Sequence, residues 1–82
     1  MDLVLLTETI VKKIVKDPES VSVKEFETEE ENTIQIEVIV SSDDLPIVIG
    51  SHGKNISAIR TIVQASSTIN TGKKVIINVD SY

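Results

Sequence analysis

Two of the chain's three glycines, Gly50 and Gly53, stand three residues apart in the stretch IVIGSHGKNISAIRTIV, Ile47 to Val63, between a β-branched apolar run and a helical apolar repeat. Glycine takes positive-φ backbone at the least steric cost and lets another group approach the main chain. The pair therefore predicts two helices meeting head to tail across a tight four-residue loop. Leu45 to Ile49 reads as a short helix opened by SSDDLP, with Asp43 and Asp44 as its caps. A longer helix is expected from about Lys54 to Ile69. It has Ile56, Ile59, Val63 and Ser66 on one face, Ile62 and Ile69 beside it, and Ser57, Thr61, Gln64 and Thr68 outward.

The flanks complete the pattern. Leu3, Leu6, Ile10 and Ile14 form a helical stripe with Val4, Val11 and Val15 beside it, and the lysines of that segment fall on the remainder and the last turn, where the helix dipole favours them. Pro18 biases Asp17 away from helix and ends the element. VSVKEFET reads as a strand, EEEN as its turn, and TIQIEVIV as the clearest strand, Ile34, Ile36, Val38 and Val40 alternating with Thr33, Gln35 and Glu37. NTGKK stops the long helix, with Gly72 as its turn glycine, and VIINVD makes a last strand. The order α-β-β-α-α-β in 82 residues, with no repeat or linker, predicts one α+β domain over residues 1–82, a three-stranded sheet with the helices packed on one face.

Several function classes fall for want of residues. The chain has no cysteine, and His52, between the two glycines, is its only histidine. A disulfide framework, a Cys-ligated metal and a Cys nucleophile are excluded, and a metal site or a triad would have to use His52, so neither an enzyme nor a cofactor is expected. The apolar run Leu3 to Leu6 is too short for a signal peptide or a membrane span. With no Trp, and only Phe26 and Tyr82 as aromatics, base binding by ring stacking is poorly supported.

The net charge of −5 argues against nucleic acid until its distribution is considered. Residues 24–44 carry one lysine and eight acids, whereas residues 45–74 carry Lys54, Arg60, Lys73 and Lys74 and no acid. The glycine pair thus lies in the one segment that offers an anion an attractive field. A loop without bulk that opens into a helix presents N–H groups and the positive end of a dipole, with Lys54, His52 and Asn55 at hand for a phosphate. The alternative is a helix-helix turn with no ligand. A nucleotide-binding P-loop is rejected, since it needs four residues between its glycines and Lys-Ser/Thr after them, where this chain has two residues and Lys54-Asn55. Arg60 is expected to meet either a phosphate or an acid, and Lys73 and Lys74 read as solvated turn cations.

The order α-β-β-α-α-β with IGSHG, Ile49 to Gly53, between its last two helices resembles a type II KH domain along the whole chain. VIGSHGKNISAIRTIV is similar to the small single-domain bacterial KH proteins of the KhpA family, which carry I-G-x-x-G followed by a basic residue and then an A-I-R-T run, here Lys54 and Ala58 to Thr61. The resemblance implies a groove holding about four single-stranded nucleotides, their backbone clamped by Gly50, Ser51, His52 and Gly53. Ile47 or Val48, Ile49 and Ile56 would line an aliphatic platform, together with outward residues of Thr33 to Val40. It also implies pairing with a second copy or with a larger KH-containing protein, for which Ile62, Ala65 and Ile69 are the contact positions if they are not ordinary core. The family usually has a basic residue after the first glycine, where this chain has Ser51, so binding is expected to be weak, with a salt slope of roughly −0.7 per phosphate neutralised. The expectation is a non-catalytic single-stranded RNA binder of the bacterial cytoplasm, an RNA chaperone or post-transcriptional regulator. The other reading is a KH-fold protein-protein interaction module with weak or lost RNA binding.

Overall fold

The computed structural model describes residues 2–82, and the predicted order of elements is the observed one. Helix α1 spans Leu3–Ile14, strand β1 Ser22–Glu27, β2 Thr33–Val40, α2 Leu45–Ile49, α3 Lys54–Asn70 and β3 Lys74–Ser81, with single 3-10 turns at Pro18–Ser20 and Ser51–Gly53. Asp2 starts α1, its Oδ1 accepting from the N–H of Val4 at 2.9 Å and of Leu5 at 3.3 Å. At the other end Val15 turns extended ahead of Asp17-Pro18.

The sheet is ordered β1-β2-β3. β1 pairs with β2 antiparallel, Ser22 opposite Ile39 and Glu27 opposite Ile34. β2 pairs with β3 in parallel, Thr33 opposite Lys74 and Val40 opposite Ser81. A parallel pair needs a crossover, and α2 and α3 supply it. Ile36, Val38 and Val40 of β2 and Ile77 of β3 point into a core closed by Leu3, Val11, Val23, Val48, Ile56, Ile59 and Val63. That core is wholly aliphatic, and both Phe26 and Tyr82 are exposed.

Two helical faces differ from expectation by one position. In α1 the buried line is Leu3, Thr7 and Val11, while Leu6 and Ile10 are partly covered and Ile14 lies at the surface. Thr7 is admitted to the core because its hydroxyl donates to the Leu3 carbonyl at 2.8 Å. In α3 the fourth buried residue is Ser67, not Ser66. The Ser67 hydroxyl donates to the Lys73 carbonyl at 2.7 Å, and its own carbonyl accepts from the N–H of Thr71 and Gly72 at 2.7 and 2.9 Å, which closes the helix and turns the chain into β3.

Asp44 also corrects the sequence reading. It occupies the residue before α2, yet its carboxylate makes no cap bond to that helix. Buried to 1% exposure, it reaches the exit of α1, Oδ1 accepting from the Lys16 N–H and Oδ2 from the Asp17 N–H, each at 3.0 Å, and Oδ2 also takes the Ser41 hydroxyl at 3.1 Å. The Lys16 N–H above all holds the carboxyl below its ordinary value of 3.8, against the opposing effect of burial, and Asp17, Ser41 and the Lys16 charge add to it. A carboxyl whose folded pKa is lowered stabilises above its unfolded value, and that stability is lost as pH falls through the folded one. Thermal denaturation should therefore show Asp44→Asn melting lower than the parent near neutral pH. Below about pH 3.8 the two should converge, because the parent loses this contribution on acidification.

Candidate nucleic-acid interface

The loop between α2 and α3 is built on main-chain conformations that its sequence makes accessible. Gly50 has φ 76° and ψ 172°, a region open essentially to glycine alone, and Gly53 has φ 75° and ψ 17°. His52 is left-handed at φ 57° and ψ 26°. The Gly53 N–H bonds to the Gly50 carbonyl at 3.1 Å, and the Lys54 N–H bonds to that of Ser51. Two of the expected anion donors are thus committed inside the turn. Among the described residues nothing bonds to the N–H of Ser51 or His52, which lie at the exposed apex where the Ser51 Oγ meets His52 Nδ1 at 3.0 Å. Lys54, also exposed, begins α3 immediately behind them.

Asn55 takes a different part from the one expected. Its Nδ2 donates to the Ile47 carbonyl at 2.8 Å, which ties the first turn of α3 to the last of α2. The two helix ends are packed so closely that a Cβ on Gly50 would lie 2.7 Å from Asn55 Cγ and 2.9 Å from its main-chain nitrogen. Gly50 is therefore required by space as well as by φ, whereas a Cβ on Gly53 would find its nearest neighbour, Ile56, at 4.0 Å. Ile56, at 7% exposure, and Val48 belong to the core and support the loop from beneath instead of lining a platform. Ile49 is the loop's exposed aliphatic side chain, at 38%.

From this loop α3 runs 17 residues, about 25 Å, to the turn bearing Lys73 and Lys74. One flank lies along β3. Arg60 is exposed, and its Nη2 and Nε donate to the Ile77 carbonyl at 3.0 and 3.3 Å, with no acid as its partner among the described residues. Gln64, read from the sequence as pointing outward, accepts from the Val75 N–H at 2.8 Å and donates to the Lys73 carbonyl at 3.0 Å. A shallow cleft of about 500 Å³ follows this seam, lined by Arg60, Thr61, Gln64, Ala65 and Val75. Its strand wall is β3. The outward residues of β2 do not contribute as expected, because β2 is the central strand and they lie on the sheet face turned away from the helices. Strand order decides this, and no periodicity in the sequence reports it.

The other flank of α3 faces α1. The three positions expected to make a contact, Ile62, Ala65 and Ile69, are not core: Ile62 is 49% and Ile69 83% exposed, and Ala65 lies at the surface beside the α3–β3 cleft. Ile10, Ile14, Ala58 and Ile62 line an apolar cleft of about 180 Å³ between the two helices. The acids concentrate at the β1–β2 turn, with Glu29 to Glu31 exposed and Glu25, Glu27 and Glu30 lining a cleft there together with Lys73. Among the described residues no helix is long and apolar enough to cross a membrane, and no cluster of His, Cys, Asp or Glu is suited to a metal ion.

A family model described as the KH domain of KhpA/KhpB matches residues 5–79. The RNA-binding protein KhpA of Clostridium perfringens is 42% identical to this chain over 74 residues, covering 90% of it and 95% of that protein. KhpA of Oceanobacillus iheyensis is 41% identical over 63 residues, covering 77% and 81%. Among solved structures, Era in complex with MgGDPNP and nucleotides 1506–1542 of 16S ribosomal RNA is similar over 96% of this chain and 29% of Era, with a TM-score of 0.73 and 19% identity. That likeness is one of fold, and the chain spans less than a third of Era.

The two loop glycines should differ under substitution. Gly53→Ala meets only left-handed strain, about 1–2 kcal/mol by chemical denaturation. Gly50→Ala adds the displacement of Asn55 and its bond to Ile47, for a total of about 3 kcal/mol or more.

Proposed function

This chain belongs to the KhpA/KhpB KH-domain family, and from that premise we propose that it binds single-stranded RNA without catalysis, as an RNA chaperone or post-transcriptional regulator of the bacterial cytoplasm. The observation that carries this reading is the loop Gly50 to Gly53. Its apex presents two main-chain donors and the start of a 17-residue helix at the head of an open cleft. A phosphate fits at Ser51 and His52, with Lys54 behind it, and the following nucleotides lie along α3 and β3, short of the turn where Lys73 borders the cleft of Glu25, Glu27 and Glu30. The bases meet aliphatic side chains and strand groups instead of aromatic rings, consistent with a chain in which Phe26 and Tyr82 stand at the surface elsewhere.

The net charge does not oppose this. The acids gather at the β1–β2 turn, and residues 45–74 carry only cations. Repulsion at the hairpin confines a polyanion to the α3–β3 seam. This distribution favours RNA binding over the reading as a pure interaction module. Labelled protein titrated with a short random single-stranded RNA should show amide shifts at Gly50 to Ile56 and along β3. Silence there in a folded protein would remove the proposal.

Ser51→Asp with His52→Asp should weaken binding by about tenfold or more and leave the melting temperature unchanged, since both side chains are exposed. Ser51→Lys should tighten it and steepen the salt dependence by about 0.7 in log-log slope, as expected for one further phosphate neutralised.

We also propose that the chain pairs with a second copy or a larger KH-containing protein through Ile62, Ala65 and Ile69. Ile62 borders the apolar cleft against α1, Ile69 is exposed further along α3, and Ala65 lies at the surface between that side and the α3–β3 cleft, which supports this reading. Ile62→Asp with Ile69→Asp should shift the light-scattering mass to that of a monomer without lowering the monomer's melting temperature. An unchanged mass would place the contact elsewhere.

A further inference from the structure

The core lies on one side of the sheet, where Val23 of β1 and Ile36, Val38 and Val40 of β2 meet the helices. Side chains alternate along a strand, so Lys24 and Phe26 of β1 and Glu37 and Ile39 of β2 lie on the other side. Both aromatic residues of the chain are found there. Phe26, 46% exposed, and Tyr82, 74% exposed, line a cleft of about 270 Å³ with Ser22, Lys24, Glu37 and Ile39. Exposed rings set beside aliphatic carbon within a polar rim have the composition of a protein contact.

β1 is also an edge strand, with β2 on one side and no strand on the other. The other edge of the sheet, β3, has its main chain engaged by Gln64 and Arg60. Among the described residues no side chain bonds to the main chain of β1, so its outward N–H and carbonyl groups are open to a further strand. Phe26 is shared with a second cleft, of about 210 Å³, whose walls include Glu25, Glu27 and Glu30 against the one cation Lys73. Glu25 and Glu27 alternate with Lys24 and Phe26, so carboxylates lie on one side of this edge and the ring on the other.

A strand laid along β1 carries its own side chains alternately to these two sides. We infer that the β1 edge docks an extended segment of another protein in which basic residues alternate with apolar ones. Its lysines or arginines face Glu25, Glu27 and Glu30, and its apolar side chains face Phe26 and Tyr82. Lys24 stands on the aromatic side and so does not oppose the basic residues. Pairing of β1 with β1 of a second copy sets glutamate beside glutamate, which disfavours that occupant. A polyanion is repelled by the same carboxylates, and neither cleft shares a lining residue with the α3–β3 seam.

The test is titration of the 15N-labelled protein with an acetylated octapeptide of alternating valine and lysine, beside two controls. One control has the same residues ordered Val-Val-Lys-Lys and repeated, so that no strand of it carries all its lysines on one side. The other has glutamate in place of each lysine of the alternating peptide. The alternating peptide should shift the amides of Ser22 to Glu27 and bind about tenfold more tightly than the paired sequence, the sum of a few cross-strand pairs. The glutamate peptide should leave those amides unmoved. Glu25→Lys with Glu27→Lys should reverse the preference in favour of the glutamate peptide, and Phe26→Ser should weaken lysine-peptide binding about fivefold. The peptide series uses the unaltered protein, so the test stands even if a variant is unstable. Equal affinity for the alternating and paired peptides would reduce the contact to charge attraction and overturn the inference. Shifts confined to elements other than β1 would overturn it too.

Discussion

The architecture depends on the approach of two helix ends, Gly50 against Asn55, with no room for a side chain between them. Once α2 and α3 are held there by the Asn55 amide on the Ile47 carbonyl, the axis of α3 is set. That axis lays Ile56, Ile59, Val63 and Ser67 onto the sheet and carries Arg60 and Gln64 along β3. The loop apex is thereby left without a packing role, so Ser51 and His52 are available to solvent and to a ligand. A second tie, Asp44 to the exit of α1, fixes the opposite end of the same crossover.

The edges of the sheet are treated differently. On β3, unpaired main-chain groups are covered by two polar side chains of α3, which discourages pairing with another strand and leaves a single donor-acceptor pair open to the cleft. On β1, the exposed charges of Lys24, Glu25 and Glu27 serve the same end by charge. The acids of that strand and its turn also set the sign of the field around the molecule. The field favours an anion at the Lys54 end of α3 over the hairpin, where Lys73 stands beside Glu25, Glu27 and Glu30.

Much of this was legible in the sequence. Alternation in TIQIEVIV and VIINVD, the proline after α1 and the spacing of Gly50 and Gly53 report local conformation, and local conformation follows from residue type. The errors share one cause, which is that partners distant in the chain decide them. Thr7 is buried because a carbonyl four residues back takes its hydroxyl, which a hydropathy pattern ranks as polar. Ser67 replaces Ser66 because the carbonyl of Lys73 waits for it across the turn. Asp44 sits where a cap would, yet its partners are the N–H groups of Lys16 and Asp17. Arg60 and Gln64 show only as polar positions on a helix, and their bonds to β3 depend on strand order. For the same reason no periodicity reports that the α3–β3 cleft has β3 as its strand wall, with the outward residues of Thr33 to Val40 on the other face of the sheet.

The parallel pairing of β2 with β3 also governs the order in which the molecule can assemble. β1 and β2 are joined by a short turn and can close early as a hairpin, whereas Thr33 meets Lys74 only after half the chain has been brought back by α2 and α3. The seam along α3 and β3 exists only once that crossover has closed. A nascent or partly unfolded chain has no α3–β3 seam, so any ligand that binds only the assembled seam draws the population toward the fully folded state, and its concentration becomes a term in the molecule's own folding equilibrium.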